Sequence, residues 1–260
     1  MKPSTCLTAT ELAFAAGGVD RVAGLNLSVR GGEVLGLLGP NGAGKSTALN
    51  LLAGITTASA GQVCLNGVDL QQMPAPQRAR KLAFLPQQSA VHWPLTVERL
   101  VWLGRLPHRR AANNSAARDR QAVEHALALT GMTALRERSF DTLSGGERMR
   151  AVVARMLAVQ APVLLADEPV GGLDPHYQLE FMELFAARAR AGAAVVLVLH
   201  DLTLASRYCD RVLLMHCGRK VAAGPPAEVL VAERLREVYR IEALHGSHQG
   251  SEFVLPWRTP

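Results

Sequence analysis

The sequence predicts an α/β fold whose core is a mostly parallel β-sheet. Residues 34–38, 163–166 and 193–199 form short, almost wholly apolar runs. Such runs are typical of strands that are buried on both faces of a parallel sheet. The second and third runs each follow a stretch with helical spacing, which is the order of elements in β-α-β units.

Composition excludes several classes of protein. The chain has 260 residues, of which 48% are hydrophobic, so it can bury a large core and is not disordered. Its net charge of +6 is compatible with an anionic ligand, an acidic membrane surface or a nucleic acid, and it does not distinguish among these three partners. The longest apolar run has seven residues, far fewer than the roughly 20 that cross a bilayer. The four cysteines show no metal or disulfide spacing and no secretory signal is visible, so we expect a soluble cytosolic protein.

The first 70 residues read as short strands separated by glycines. Residues 25–29 alternate apolar and polar side chains, which predicts a half-buried strand, and residues 34–38 predict a central strand. A glycine-rich turn follows, and a helix is expected over residues 46–53. Residues 62–67 predict a further strand at the edge of a sheet, closing on a turn.

The remainder of the chain is mainly helical in its spacing. Residues 118–129 predict an amphipathic helix, and five arginines between residues 105 and 120 predict a solvated basic face or a surface near anionic lipid. Residues 211–215 and 220–222 flank a turn, which predicts a hairpin. Residues 245–260 are polar and bounded by prolines, and we expect a loose C-terminal tail there.

The segment from Gly39 to Ser46 fits the phosphate-binding pattern G-x-x-x-x-G-K-[ST]. Glycines let consecutive backbone N–H groups turn towards an anion, and the N-terminus of the following helix adds partial positive charge. In this pattern Lys45 reaches the terminal phosphates and the Ser46 hydroxyl binds Mg²⁺. The predicted nucleotide-binding residues are Gly39, Pro40, Asn41, Gly42, Ala43, Gly44, Lys45, Ser46 and Thr47.

Two carboxylates end the apolar run of residues 163–166. Asp167 and Glu168 therefore stand at the carboxyl end of a predicted buried strand, where ligands bind in open α/β sheets. Asp167 is placed to hold Mg²⁺ through water, and Glu168 to orient or deprotonate an attacking water. Together with the phosphate loop, this pair predicts nucleotide hydrolysis.

Four further segments extend the pattern. The sequence of residues 143–147 is Leu-Ser-Gly-Gly-Glu, and that of residues 171–174 is Gly-Gly-Leu-Asp. Gln87 follows the Leu-Pro of residues 85–86, and His200 follows the apolar run of residues 193–199. In this order the motifs resemble those of the ATP-binding cassette (ABC) ATPases, the nucleotide-hydrolysing subunits of ABC transporters. The resemblance spans about residues 10–240.

The resemblance implies a dimer that encloses two ATP molecules with Mg²⁺. The helix opened by Ser144 would face the γ-phosphate held by the phosphate loop of the other copy, and hydrolysis would let the dimer open. The implied sites are catalytic Glu168, His200 and Gln87; a signature acting in trans, Ser144, Gly145, Gly146 and Glu147; the D-loop residue Asp174; and Mg²⁺ contacts from Ser46, Gln87 and Asp167.

The resemblance also implies an organisation of the chain. An ABC ATPase domain would cover residues 1–244, with an antiparallel β subdomain at its N-terminus and a helical subdomain inserted at about residues 89–157. Two positions depart from the family's pattern. The aromatic residue that stacks on adenine is replaced by Ala16, with Phe14 nearby as either a platform or a core residue. The D-loop carries two glycines, which either loosen coupling between the two ATP sites or have no effect.

Residues 95–108, 200–205 and 224–230 resemble importer ATPases for iron-siderophore, haem and cobalamin uptake. This resemblance implies a separate transmembrane permease and, indirectly, a periplasmic substrate-binding protein, with the chain on the cytoplasmic face of the inner membrane. The permease would dock after Gln87, with His92, Trp93 and Pro94 as exposed candidates, although Trp93 also suits a core. The alternatives are an exporter ATPase or a soluble ABC-type ATPase acting on nucleic acid or ribosomes. A single cassette without a long insert disfavours the last of these, so no nucleic acid is expected.

Overall fold

The computed structural model describes residues 5–87, 94–108 and 116–260. An antiparallel sheet contains β1 (Cys6–Ala16), β2 (Val19–Arg30), β4 (Ala60–Leu65) and β5 (Val68–Asp69), in the order β2-β1-β4-β5. This sheet confirms the predicted N-terminal antiparallel strands. The strand expected at residues 62–67 is not at the edge, because the Asn66-Gly67 turn folds β5 back against β4.

The core sheet is parallel except at one edge. It contains β3 (Val34–Leu38), β6 (Leu82–Leu85), β7 (Val163–Asp167), β8 (Ala194–Val198), β9 (Arg211–His216) and β10 (Arg219–Gly224). The strand order is β10-β9-β3-β8-β7-β6, and β10 alone in this sheet runs antiparallel to its neighbour. The central strands β3, β7 and β8 are buried along their whole length, as their apolar runs predict. The predicted α/β class is therefore confirmed, and the predicted hairpin is β9–β10.

Helices connect these strands and cover the sheet. They are α1 (Lys45–Leu52), α2 (Ala75–Lys81), α3 (Val97–Trp102), α4 (Ala116–Leu129), α5 (Gly145–Ala158), α6 (Pro175–Arg190), α7 (Leu202–Tyr208), α8 (Pro226–Val229) and α9 (Ala232–Tyr239), with short 3₁₀ turns at Leu103–His108, Thr133–Leu135 and Phe140–Thr142. Helix α4 buries Val123 and Leu127, as its amphipathic pattern predicts. Within the described ranges, no helix has the length and apolar character needed to span a bilayer.

Two apolar clusters lie on opposite faces of the core sheet. Along β7, Val163 and Leu165 belong to the cluster shared with α1 and the antiparallel sheet, whereas Leu164 and Ala166 belong to the cluster shared with α3–α7. This alternation follows from the two-residue period of a strand. Because both faces are covered, polar side chains that follow the strands are concentrated at the carboxyl edge of the sheet.

The helical segment contains a buried ion pair. Arg105 is 4% exposed, and its guanidinium donates to Asp119 at 2.9 Å and to the Ala158 carbonyl at 2.6 Å. The expected solvated face is therefore wrong for Arg105, although Arg118 and Arg120 are exposed. A buried guanidinium needs partners, and it finds them in one carboxylate and in the free carbonyls at the end of α5.

Residues 245–260 do not form a loose tail. Strand β11 (Glu242–His248) pairs with β12 (Ser251–Arg258) in an antiparallel hairpin that packs against α7. Val254 is 5% exposed and belongs to the core cluster of the helical face. Most side chains of this strand pair are in solvent, so its composition is as polar as that of a loose tail. One buried apolar side chain is enough to anchor the hairpin.

Candidate functional site

The phosphate loop lies between the end of β3 and the start of α1. Gly39 and Gly44 both have positive φ angles, 147° and 97°. A Cβ at Gly39 would collide with the Met215 carbonyl oxygen, and one at Gly44 with the Arg21 carbonyl oxygen. Both positions therefore require glycine on conformational and on steric grounds. Among the predicted nucleotide-binding residues, Asn41 and Gly42 are exposed, and the loop is open to solvent at its tip.

Lys45 begins α1 and is 6% exposed. Its Nζ donates to the carbonyl oxygens of Gly39 at 2.7 Å and Pro40 at 3.0 Å, so the ammonium lies inside the loop. Burial lowers the pKa of Lys45, and the negative charges of Glu168 and Asp167 act in the opposite direction. An anion in the loop would be a stronger partner for this ammonium than two neutral carbonyls.

Asp167 is the last residue of β7 and is 4% exposed. Burial raises its pKa, against a hydrogen bond from the Ser46 side chain and the positive charge of Lys45. Its Oδ1 atom is buried and has no hydrogen-bond partner among the described residues. A carboxylate oxygen without a partner beside a hydroxyl suits a hard divalent cation.

The donors near Asp167 fit Mg²⁺ better than a metal enclosed by the protein. Across the described parts of the chain, no cluster of three or more His, Cys, Asp or Glu residues could hold a metal ion. Mg²⁺ is usually held by one or two protein groups together with waters and substrate phosphates. Ser46 and Asp167 are groups of this kind, and they lie next to the phosphate loop.

Glu168 and His200 follow the adjacent strands β7 and β8. Glu168 has a positive φ of 51°, and its backbone N–H donates to the Val198 carbonyl at 3.2 Å. The Nε2 atom of His200 lies 2.6 Å from Oε1 of Glu168. Because a carboxylate oxygen only accepts hydrogen bonds, Nε2 is the donor. The two side chains are 20% and 43% exposed, so this pair can be reached from solvent.

Gln87 lies at the same edge of the sheet but is not joined to these side chains. It is exposed and follows β6, whose Leu85 pairs with Ala166 of β7. Among the described residues, no hydrogen bond connects Gln87 with Ser46 or Asp167. His92 and Trp93 lie outside the described residues, and Pro94 is exposed.

The predicted signature opens α5. Ser144 is the N-cap residue, and its Oγ accepts from the Glu147 N–H at 3.3 Å while Glu147 Oε2 accepts from the Ser144 N–H at 2.8 Å. This reciprocal capping box satisfies two N–H groups at the start of the helix. The hydrogen bonds to the Ser144 backbone and side chain lower the pKa of Glu147. Ser144 and Gly145 are exposed, so the tip of α5 faces solvent within a single chain.

The D-loop adjoins this tip. Asp174 is the N-cap residue of α6 and is exposed, and its side chain makes no capping hydrogen bond. A Cβ at Gly146 would be in ordinary contact with Leu173 and Tyr177, so the signature and the D-loop pack together within one chain. Gly172 has a φ of 70°, which accounts for glycine at this position of the D-loop.

Two neighbours of the phosphate loop were not predicted from the sequence. Gly218, in the turn between β9 and β10, donates its N–H to Ala43 at 3.0 Å. Tyr239, at the end of α9, has a buried hydroxyl beside the Gly39 backbone, and burial raises its pKa to about 12. The Cys217-Gly218 turn was visible as a turn signal, but no local pattern connects it or Tyr239 with residue 39.

The two candidate adenine residues differ in their surroundings. Phe14 is half-buried and packs against the apolar cluster of the antiparallel sheet. Ala16 is exposed at the end of β1, opposite Val19 of β2. Phe14 therefore has a packing role, and Ala16 has no aromatic ring with which to stack.

The sequence matches a known family over more than half of its length. The family model described as ABC transporter matches residues 22–171. The hemin import ATP-binding protein HmuV of Streptomyces coelicolor is 45% identical to this chain over 246 residues, which cover 94% of the chain and 87% of that relative.

Solved structures with the same fold include subunits of transporters. A metal-chelate type ABC transporter in an inward-facing conformation aligns with a TM-score of 0.82 and 26% identity, covering 97% of both chains. The dimeric structure of MJ0796, a bacterial ABC transporter cassette, aligns with a TM-score of 0.76 and 26% identity, covering 85% of this chain and 98% of that one.

Proposed function

Since this chain belongs to the family of ABC transporter ATP-binding proteins, we propose that it is the motor subunit of an importer for an iron complex or cobalamin. Of the two iron complexes, haem is favoured over an iron-siderophore. The chain hydrolyses ATP, and hydrolysis drives the uptake. The observation that carries the proposal is the assembly of Lys45, Asp167, Glu168 and His200 at one edge of the parallel sheet. The relative named for hemin import supports haem as the cargo.

Residues Gly39 to Thr47 bind the triphosphate of ATP. Backbone N–H groups of the loop surround the phosphates, and the Lys45 ammonium exchanges its two carbonyl partners for phosphate oxygens. Ser46, Asp167 and Gln87 would hold Mg²⁺, which would supply positive charge to neutralise the phosphates. The Asp167 oxygen that has no partner among the described residues supports this role.

Glu168 and His200 act on the attacking water. The Glu168 carboxylate orients the water and accepts its proton, which requires it to be ionised. His200 already donates to that carboxylate at 2.6 Å, so it keeps the carboxylate in place and can turn to the γ-phosphate when ATP is present. The positive φ of Glu168 directs its side chain away from the strand and towards this position.

The Ser144 end of α5 and Asp174 complete the site of a second copy. In the single chain the tip of α5 is exposed and already capped, so it is free to face an anion from another molecule. The solved dimer of a related cassette supports a homodimer, and we expect this homodimer to enclose two nucleotides. A separate permease holds the dimer at the cytoplasmic face of the inner membrane, and a periplasmic binding protein delivers the cargo to that permease.

Mixing two inactive variants tests the trans arrangement. Lys45→Ala removes the phosphate contact, and Ser144→Asp keeps a helix cap but places a negative charge at the tip of α5. Each homodimer should be inactive. A mixed dimer contains one site in which the Lys45 and the Ser144 are both intact, so ATP hydrolysis should reappear when the two proteins are combined.

The mixture has a clear opposite outcome. If Ser144 acted on the phosphate loop of its own chain, no mixed dimer would contain an intact site and the mixture would stay inactive. Wild-type protein mixed with each variant gives the upper limit for the recovered rate. Inactivity of the mixture, with the mixed dimer verified by two different affinity tags, would contradict the proposed sandwich.

Growth tests the cargo. Cells that lack this chain should not grow with haem as their only iron source, and the wild-type chain but not Lys45→Ala should restore growth. Normal growth on haem combined with loss of siderophore or cobalamin uptake would identify the other cargo. Normal uptake of all three would contradict the importer assignment.

A further inference from the structure

The loop that carries His200 is short and leads directly into α7. Strand β8 ends at Val198 and α7 begins at Leu202. Asp201 caps this helix, because its Oδ1 accepts from the Leu204 N–H at 2.8 Å. The position of the imidazole opposite Glu168 therefore depends on where the first turn of α7 lies.

Helix α7 needs support from outside itself. It has seven residues, which is too short for a helix to be stable alone in water. Its inner face buries Leu202, Leu204 and Ala205 against the core. These contacts fix one side of the helix, and its other side is left to the C-terminal hairpin.

The hairpin β11–β12 holds that other side through two hydroxyl groups. Thr203 Oγ1 donates to the Val254 carbonyl at 2.8 Å. Ser206 Oγ lies 3.3 Å from the Glu252 carbonyl and 3.0 Å from the Thr203 carbonyl, and its single proton can serve only one of them. The bond from Thr203 is thus the stronger connection, and it lies in the first turn of α7, three residues after His200.

The hairpin is itself anchored at several points. Val254 is in the core, and His245 Nε2 makes a 2.7 Å hydrogen bond with the Leu230 carbonyl. Arg258 donates to Glu242 at 2.6 Å, which closes the open end of the hairpin. These contacts make the hairpin a fixed support for α7.

We infer that Thr203 is a positioning residue for ATP hydrolysis, acting from the C-terminal hairpin through α7 on His200. The inference rests on the proposed role of His200. The Thr203–Val254 hydrogen bond fixes the first turn of α7 and so keeps the imidazole within reach of Glu168. The phosphate loop is not part of this connection, so ATP binding is independent of it.

Threonine 203 can be tested by isosteric substitution in the full chain. Thr203→Val replaces the hydroxyl with a methyl group of similar size, and we expect kcat to fall about 3- to 10-fold with KM for ATP within about twofold. Thr203→Ser keeps the donor and should restore at least half of the lost rate. Thr130→Val is the matched control, because Thr130 is buried directly after the end of α4 and donates to the Ala126 carbonyl at 3.0 Å. It should lower the melting temperature while leaving kcat unchanged.

A double variant separates this inference from the proposed role of His200. In His200→Ala, adding Thr203→Val should lower the residual rate no further, because the two residues act on the same step. A wild-type rate in His200→Ala would refute the role of His200, and the inference with it. If His200→Ala is impaired but Thr203→Val has wild-type kcat, or changes kcat and KM together, the positioning role alone is overturned.

Discussion

At the carboxyl edge of the core sheet, Lys45 and Asp167 are almost wholly buried, whereas Ser144 at the tip of α5 is exposed. The buried residues already have partners from within the chain, including two backbone carbonyls and the Ser46 hydroxyl. Ser144 has its helix cap and faces solvent beyond it. We therefore propose that the first region is a nearly complete anion site and that the second is half of a site.

The difference follows from the energy of burying charge. A buried ammonium or carboxylate destabilises the fold unless hydrogen bonds or opposite charges compensate it. The same folded chain must therefore supply partners for each buried charge. A capped helix tip in solvent is stable without further partners. In the proposed function, a single chain would therefore hold nucleotide by itself, and a second copy would bring a helix tip to the γ-phosphate.

Lys45→Ala should have the largest effect, because it removes the main positive charge of the buried region. We expect ATP turnover to fall by about 10³-fold, with a comparable loss of nucleotide binding. The measurement is steady-state phosphate release together with binding of a fluorescent ATP analogue. Lys220→Ala, an exposed lysine of β10, is the control and should behave as wild type. Turnover at the wild-type rate in Lys45→Ala would remove this lysine from the site.

Glu168→Gln should separate binding from hydrolysis within the buried region. The amide oxygen can still accept the hydrogen bond from His200, but it cannot accept a proton from water, so turnover should fall about 10²-fold or more while ATP stays bound. Size-exclusion chromatography with ATP should then show a stable dimer. Glu180→Gln, on the exposed side of α6, should hydrolyse ATP normally and should not accumulate as a dimer. A monomer at saturating ATP in Glu168→Gln would contradict the sandwich.

Two substitutions of Ser144 test the exposed region without disturbing the buried one. Ser144→Ala removes the cap, so it should reduce the free energy of unfolding by about 1 kcal/mol. Ser144→Asp retains the cap, yet its charge should weaken ATP-dependent dimerisation about tenfold or more, because it opposes the γ-phosphate. Each change is introduced into Glu168→Gln and the dimer fraction is measured against protein concentration. A dimer of unchanged stability in Ser144→Asp would place the signature away from the phosphates.

The same two regions explain what could be predicted from the sequence. The phosphate loop is a local motif, and Lys45 lies only six residues from the Gly39 carbonyl that it contacts. The capping box joins Ser144 and Glu147, which are three positions apart. Contacts of this kind follow from turn and helix geometry, so residue types at fixed spacing reveal them.

Contacts between distant segments could not be predicted in this way. The Glu168–His200 pair depends on β7 and β8 being neighbours in the sheet, and no local pattern gives the strand order. The burial of Arg105 depends on Asp119 and on carbonyls more than 50 residues away. The C-terminal hairpin has Val254 as its single buried apolar side chain, so its composition alone does not distinguish it from a loose tail.

The smallest expected effect concerns the charge of the capping box. The folded chain lowers the pKa of Glu147 through its hydrogen bonds to Ser144, so the ionised carboxylate stabilises the fold at pH values above the pKa of the unfolded chain. This contribution is lost as the pH falls through the folded pKa. Glu147→Gln accepts the same bond without the charge. The difference in unfolding free energy between wild type and this variant should therefore be complete at pH values above about 4.3, the ordinary pKa of glutamate, and it should shrink as the pH falls below that value.

Urea unfolding at a series of pH values measures this difference directly. Glu237→Gln is the control, because Glu237 is exposed on α9 and takes part in no capping box. Parallel curves of unfolding free energy against pH for wild type and Glu147→Gln would show that the Glu147 side chain stabilises the fold through its hydrogen bond and not through its charge. A difference that grows in acid would have the wrong sign for a lowered pKa, and it would mean that the tip of α5 is organised differently from the capping box described above.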